Sequence, residues 1–529
     1  MTRGAALLVL SLALAFLLLP VLAPRANASQ TQPQSEGRPV VMVHGFGSTA
    51  DAWSSYLGRD GYLASVGLSG FAVGDGQVEG RMNTGNLLDP HQPTNTIHEN
   101  AEILGQYIAN VKALTGAEQV DLIAHSMGGL ISRYYVDRVM EGRDVAQLIM
   151  LGSPHAGTDC ANLPAAAGIY LPAALEIRPS YVVNVFNRQI THHQGVPFYI
   201  LAGTSIVDEI QSPCTAVPSD IVISLDSASN INATIEQAPV LHTSMNTSEE
   251  LFRDFVAPLL LRGTDEIPTV ADQEPDQTSF EPLQFTRIFT GHVEAGGSAN
   301  HTLQIDQAAV ANFALFDPTR SLTVTVRGAS GNVIELDPAV HGIVLVDDPE
   351  TMVHLGYGFN NPRPGPWQVT LTATERTPAT GADYAISARL SGSAILDAQS
   401  STLLPEPGER VELTARLKAG EESLQMTEAN ASIRSPDGTV QSVPLTGEGD
   451  ERQATWTPTA PGLHAVDIVV TGAAPDGQPI ERTAFLVVDV QPHRNDFRAT
   501  LVLGGVGVIL LSALLFGFRR WRKSGARNG

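Results

Sequence analysis

Short, nearly continuous apolar runs recur between residues 38 and 261, each followed by a stretch with helical spacing. Val40-Val41-Met42-Val43, Val120-Asp121-Leu122-Ile123-Ala124, the run 146–151 and the run 198–202 are too short for core helices and suit strands buried on both faces. Strands alternating with helices predict an α/β domain built on a mostly parallel sheet. Residues 262–284 break the pattern with Asp265, Glu266, Asp272, Glu274, Asp276 and Glu281 among three prolines, a composition that cannot build a core and reads as an acidic linker. Beyond it the apolar period becomes two. Leu322-Val324-Val326, Trp367-Val369-Leu371 and Tyr384-Ile386-Ala388-Leu390 predict a β-sandwich over 285–392. Val411-Leu413-Ala415-Leu417, a Pro436-Asp437-Gly438 turn and a strand through Leu463, Val466, Ile468 and Val470 predict a second, resembling immunoglobulin-like modules, over 400–492. Neither sandwich holds a catalytic cluster, and their histidines show no metal-ligand spacing, so their simplest role is a stalk. Binding of a surface polymer is the other role they allow.

The two ends add an address. Arg3, an apolar run from Ala5 to Leu19, and Ala26-Asn27-Ala28 read as an export signal over residues 1–28. Residues 499–518 carry no charge, and twenty residues at about 1.5 Å each span a bilayer core of about 30 Å. They predict a transmembrane helix. The basic tail 519–529, with Arg519, Arg520, Arg522 and Lys523, belongs in the cytoplasm by the positive-inside rule. The expectation is a single-pass cell-membrane protein with an extracytoplasmic body. With 55 acidic against 32 basic residues the chain carries −23, so phosphate backbones repel it and nucleic acid is excluded as a partner. Its two cysteines, Cys160 and Cys214, lie in the exported domain, where a disulfide is the default state.

The chemistry sits where strands end. After Val120–Ala124 the chain reads Ala124-His125-Ser126-Met127-Gly128-Gly129 and then turns helical. A serine on so sharp a strand-to-helix turn needs small residues two before and two after it, and Ala124 and Gly128 are small. The helix start aims backbone N–H groups at the serine, where negative charge develops in acyl transfer. The first strand ends in His44-Gly45-Phe46-Gly47, a loop able to offer a second N–H.

Together the two motifs resemble the α/β-hydrolase superfamily, and within it the bacterial lipases and esterases with H-G-(apolar)-G and A/G-H-S-M/Q-G. The resemblance implies a Ser-acid-His triad with Ser126 as nucleophile and the N–H groups of Phe46 and Met127 as oxyanion hole. Its chain order of serine, acid, histidine implies His242 as the base, since His155, His192 and His193 come too early. Pro218-Ser219-Asp220-Ile221-Val222 resembles the acid-bearing D-G-x-V loop, which selects Asp220. Ile221 stands where glycine is usual, and Asp208 stays open as the alternative. Some related lipases hold calcium through an aspartate two residues after the histidine. Here that residue is Ser244, so no metal is carried over, and the chemistry needs no cofactor. The apolar stretch between Gly157 and Gly195 falls where the superfamily inserts its cap or lid, and a mobile lid and a fixed cap are equal readings. The function implied is cleavage of carboxylic esters of lipids, as a triacylglycerol lipase or carboxylesterase. A phospholipid deacylase or acyltransferase with the same triad, and an adhesion protein with an inert hydrolase head, are the alternatives.

Overall fold

The structure is a computed structural model that describes residues 37–86, 92–166, 171–272, 283–336, 355–392, 394–447 and 449–492. The expected export signal, transmembrane helix and basic tail lie outside these residues. Among the described residues no helix is long and apolar enough to cross a membrane.

The first half of the chain folds around a sheet of six parallel strands: β1 (Val40–Val43), β2 (Gly70–Ala72), β3 (Val120–His125), β4 (Val145–Leu151), β5 (Phe198–Gly203) and β6 (Thr234–Ala238). Their order across the sheet is β2-β1-β3-β4-β5-β6. The four strands expected from apolar runs are all present. Both faces of the sheet are covered, as continuous apolar strands require. Val41 and Val43 enter a core with Leu104, Ile108 and Leu130 on one face, while Val40 and Met42 pack with Trp53, Leu63 and Phe255 on the other.

Helix α1 (Ile97–Thr115) is fixed at both ends by its sequence. Thr96 and Glu99 form a reciprocal capping box, and Gly116 closes the helix at φ 73°, a conformation that only glycine adopts without strain. Its buried residues Ile97, Ala101, Leu104, Ile108 and Val111 follow the helical period.

Beyond residue 283 every strand pairing among the described residues is antiparallel. Two apolar clusters form, one around Phe313, Trp367 and Ile386, the other around Leu413, Ile433 and Ile468. The expected division into separate sandwiches is not complete, because one sheet runs through both. Its path goes from Leu355–Asn360 through Val310–Phe316 and Ala382–Ser391 to Gln284–Phe285, and on to Pro479–Val490, Gly462–Ala473, Gln425–Arg434 and Val440–Pro444. Gln284–Phe285 is the bridge, since Phe285 pairs with Arg389 on one side and Thr483 on the other.

The antiparallel region is not held off as a stalk. Leu463, Ala465 and Val487 join the apolar cluster of the α/β domain, and Arg178 pairs with Asp467 at 3.0 Å. The start of the expected linker also packs back: Asp272 accepts hydrogen bonds from the N–H groups of His193 and Gln194. Within the cap stretch, Leu163, Ala173, Ala174, Leu175 and Ile177 are buried in the same cluster, so in this structure these residues are packed onto the core.

Candidate active site

Strand order reverses between β1 and β3, and in open α/β sheets the crevice at such a reversal is where ligands bind. The loop after β1 and the turn after β3 meet there. Ser126 stands between β3 and helix α2 (Met127–Tyr134) at φ 54° and ψ −130°, a strained backbone for a non-glycine residue. Two contacts hold it: its N–H donates to the Leu151 carbonyl at 2.9 Å, and its carbonyl accepts from Gly129 at 3.0 Å. The need for small neighbours is literal. A Cβ on Gly128 would lie 2.5 Å from the Val43 carbonyl oxygen, and one on Gly45 would lie 2.7 Å from Ser126 Cβ. Ala124 is fully buried, Met127 is buried, and Ser126 and Phe46 are half-buried.

His242 opens a short 3₁₀ turn after β6, and its Nδ1 lies 2.7 Å from Asp220 Oδ2. Both residues are buried. The other carboxylate oxygen, Oδ1, accepts from the N–H of Val222 at 2.9 Å and of Ile223 at 2.6 Å. That tight turn forces Ile221 to φ 85°, which explains why related chains place glycine there. Gly152, at φ 57°, lets the backbone pass beside the pair, since a Cβ on it would be 3.0 Å from both Asp220 Oδ2 and His242 Nδ1. Asp208 lies elsewhere, with its carboxylate capping the turn Glu209–Gln211.

The other early histidines are occupied. His155 is buried against Arg133 at 3.3 Å, His193 stacks on Phe198, and His192 faces Asp137. His125 was singled out only as part of the turn motif. Its ring lies tilted against that of His242 at 4.6 Å between centroids, and its Nε2 lies 3.0 Å from the His242 carbonyl oxygen. Burial, followed by the proximity of His242, pushes its pKa down to about 3, so the ring is neutral and Nε2–H is the donor. Burial likewise holds His44 down to about 4.

Thr84 carries no motif, yet its hydroxyl donates to the Gly45 carbonyl at 2.7 Å and its own carbonyl accepts from Gly47 at 3.0 Å. It thus braces the loop on either side of Phe46. Cys160 and Cys214 form a disulfide. Among the described residues no cluster of three or more His, Cys, Asp or Glu has the arrangement of a metal site.

Residues 39–194 match the family model of palmitoyl protein thioesterase. A triacylglycerol lipase of Burkholderia plantarii is 32% identical over 167 residues, 30% of this chain and 40% of that protein. One of Pseudarthrobacter phenanthrenivorans is 32% identical over 134 residues, 23% of this chain and 35% of that protein. The chain therefore spans less than half the length of these relatives. The crystal structure of Bacillus licheniformis lipase BlEst2 in propeptide form superposes with a TM-score of 0.56 at 14% identity, over 87% of this chain and 96% of that one, a likeness of fold. The chain has the α/β-hydrolase fold, with a core similar to those of lipases and esterases.

Proposed function

We propose that the protein is a serine hydrolase that cleaves carboxylic esters of lipids, anchored in a membrane by residues 499–518 with its body on the extracytoplasmic side. The observation that carries the chemistry is the buried His242–Asp220 pair at 2.7 Å, tied through His125 to the turn that strains Ser126. Asp220 accepts the Nδ1–H of His242, which fixes the tautomer and leaves Nε2 to take a proton. Ser126 Oγ attacks the ester carbonyl while His242 accepts its proton, and the N–H groups of Phe46 and Met127 receive the oxyanion. Collapse expels the alcohol, protonated by His242. Water then enters by the same route and releases the acid. The lipase relatives support an ester substrate. The match to palmitoyl protein thioesterase supports a second reading in which the leaving group is a thiol.

The deciding experiment is turnover of p-nitrophenyl esters from two-carbon to sixteen-carbon acyl groups, beside a palmitoyl thioester, by the full chain in detergent and by Ser126→Ala. Turnover that disappears in the variant, together with fluorophosphonate labelling of the wild type alone, supports the reading, and the preferred leaving group separates ester from thioester. A wild type that neither turns over nor labels would overturn it.

A further inference from the structure

The loop from β5 to β6 delivers Asp220, yet its tip does not rest on the parallel sheet. Ile206 and Ser219 close its neck, each N–H donating to the other's carbonyl at 2.9 and 2.8 Å, and Asp220 is the next residue. The tip, residues 208–215, is held from outside its own domain. Asn312 Nδ2 donates to the carbonyls of Glu209 at 2.7 Å and Ser212 at 3.0 Å. Arg389 Nη2 donates to the Glu209 carbonyl at 2.9 Å, and Ser391 Oγ binds the Glu209 carboxylate. Gly358 allows the approach, because a Cβ there would be 2.1 Å from the Ile210 carbonyl oxygen. On the opposite side the disulfide ties Cys214 to Cys160.

Asn312 and Arg389 are odd residues for the strands that bear them. Asn312 is 0% exposed and Arg389 2% exposed, in strands whose other buried residues are mostly apolar. A buried amide or guanidinium is costly unless its hydrogens find acceptors. Both hydrogens of the Asn312 amide and most of those of Arg389 find them on carbonyls and a carboxylate of the acid loop, with Ser391 Oγ beside Arg389 Nη1, while Arg389 Nε and Asn312 Oδ1 have no partner among the described residues. We propose that Asn312 and Arg389, supplied by the antiparallel region, are positioning residues for the catalytic acid: they fix the tip of the loop so that its neck holds the Asp220 carboxylate against His242. This rests on the reading of Ser126, His242 and Asp220 as a triad. It makes the antiparallel region part of the working site, since a displacement of about 1 Å in such a constellation costs on the order of a hundredfold in rate.

The test uses the full chain in detergent, with Asn312→Ala, Arg389→Lys and the milder Ser391→Ala. Two quantities are read: ester turnover, split into kcat and KM, and the low-field proton NMR signal of the hydrogen shared by His242 Nδ1 and Asp220. Asn312→Ala is expected to lower kcat about tenfold with KM within about twofold, and to broaden or abolish the low-field signal. Arg389→Lys, which keeps the charge but loses the fork, falls between Asn312→Ala and the wild type. Should Asn312→Ala fail to fold, Ser391→Ala decides through the same two readouts. Unchanged kcat and an unchanged signal, whatever happens to thermal stability, would mean that the contacts only join the two regions. A rise in turnover, or a wild type lacking the low-field signal, also overturns the proposal. A signal that changes in the variants of a protein that turns over no ester or thioester would sink the hydrolase reading and leave the positioning role standing.

Discussion

Thr84 and His125 act on the site without touching the bond to be broken. Thr84→Val keeps the shape of the side chain and removes the donor to the Gly45 carbonyl, so the loop offering the Phe46 N–H loses its brace. Removing an oxyanion donor outright costs a hundredfold or more, and a brace one step removed should cost less, about tenfold in kcat with KM little changed. Thr84→Ser, which keeps the hydroxyl, should recover most of it, and kcat measured for the three proteins decides. His125→Phe keeps a ring but takes the shorter of two hydrogen bonds from the His242 carbonyl, leaving the Met245 N–H at 3.4 Å, a cost of about 0.5–1.5 kcal/mol read as a lower melting temperature. Both His44, near 4, and His125, near 3, are neutral above pH 5. The acidic limb of the rate profile above that pH therefore belongs to neither, and His125→Phe should leave its position unmoved; a displaced limb would contradict the neutral assignment.

Elements were legible where their causes are local. β1, β3, β4 and β5 are buried on both faces and announce themselves as apolar runs, whereas β2 is three residues long and β6, Thr-Ile-Glu-Gln-Ala, lies at the sheet edge, with four of its five residues exposed. The turn at Ser126 was legible for the same reason, because its close contacts fall on its immediate neighbours. Asp220 was harder to separate from Asp208, since what selects it is the approach of His242 from 22 residues away and a positive φ at Ile221 that the side chain itself argues against. Thr84 left no signal, because its partners, the His44 ring and the backbone of Gly45 and Gly47, lie some forty residues earlier. Gly128→Ala tests the local case. Its Cβ would press on the Val43 carbonyl at 2.5 Å, and backbone cannot rotate aside as a side chain can, so α2 must shift away from β1 and carry Ser126 with it. Turnover should fall more than tenfold along with the melting temperature; a variant equal to wild type in both would show that the elbow tolerates the shift.

At the scale of the whole molecule the packing of the antiparallel region onto the cap could not be read from the sequence. A contact between domains has no periodicity, and its polar members, Arg178, Asp467, Arg389 and Glu209, are indistinguishable in sequence from solvated charges. The same junction buries Asp159. Burial pushes its pKa from 3.8 up to about 7, against the opposing hydrogen bonds from the Leu283 N–H and the Asn162 side chain and the more distant charges of Arg389 and Arg178. A carboxyl that keeps its proton to about 7 when folded but loses it near 3.8 when unfolded gives stability that is full below pH 4 and is lost as pH rises toward 7. The buried histidines His44, His125 and His155, whose pKa values are lowered, act in the opposite sense as pH falls below 6.5, so the wild-type curve alone does not isolate the carboxyl. Asp159→Asn does, because the histidines are common to both proteins and the amide resembles the protonated acid. The two should melt together near pH 4, and the variant should gain on the wild type as pH rises, by at most about 3 kcal/mol between pH 5 and pH 7. Melting curves at pH 4, 5, 7 and 8 measure this difference. A constant offset across that range would mean that Asp159 is ionised in the folded protein throughout, its charge carried by Arg178 and Arg389 across the junction.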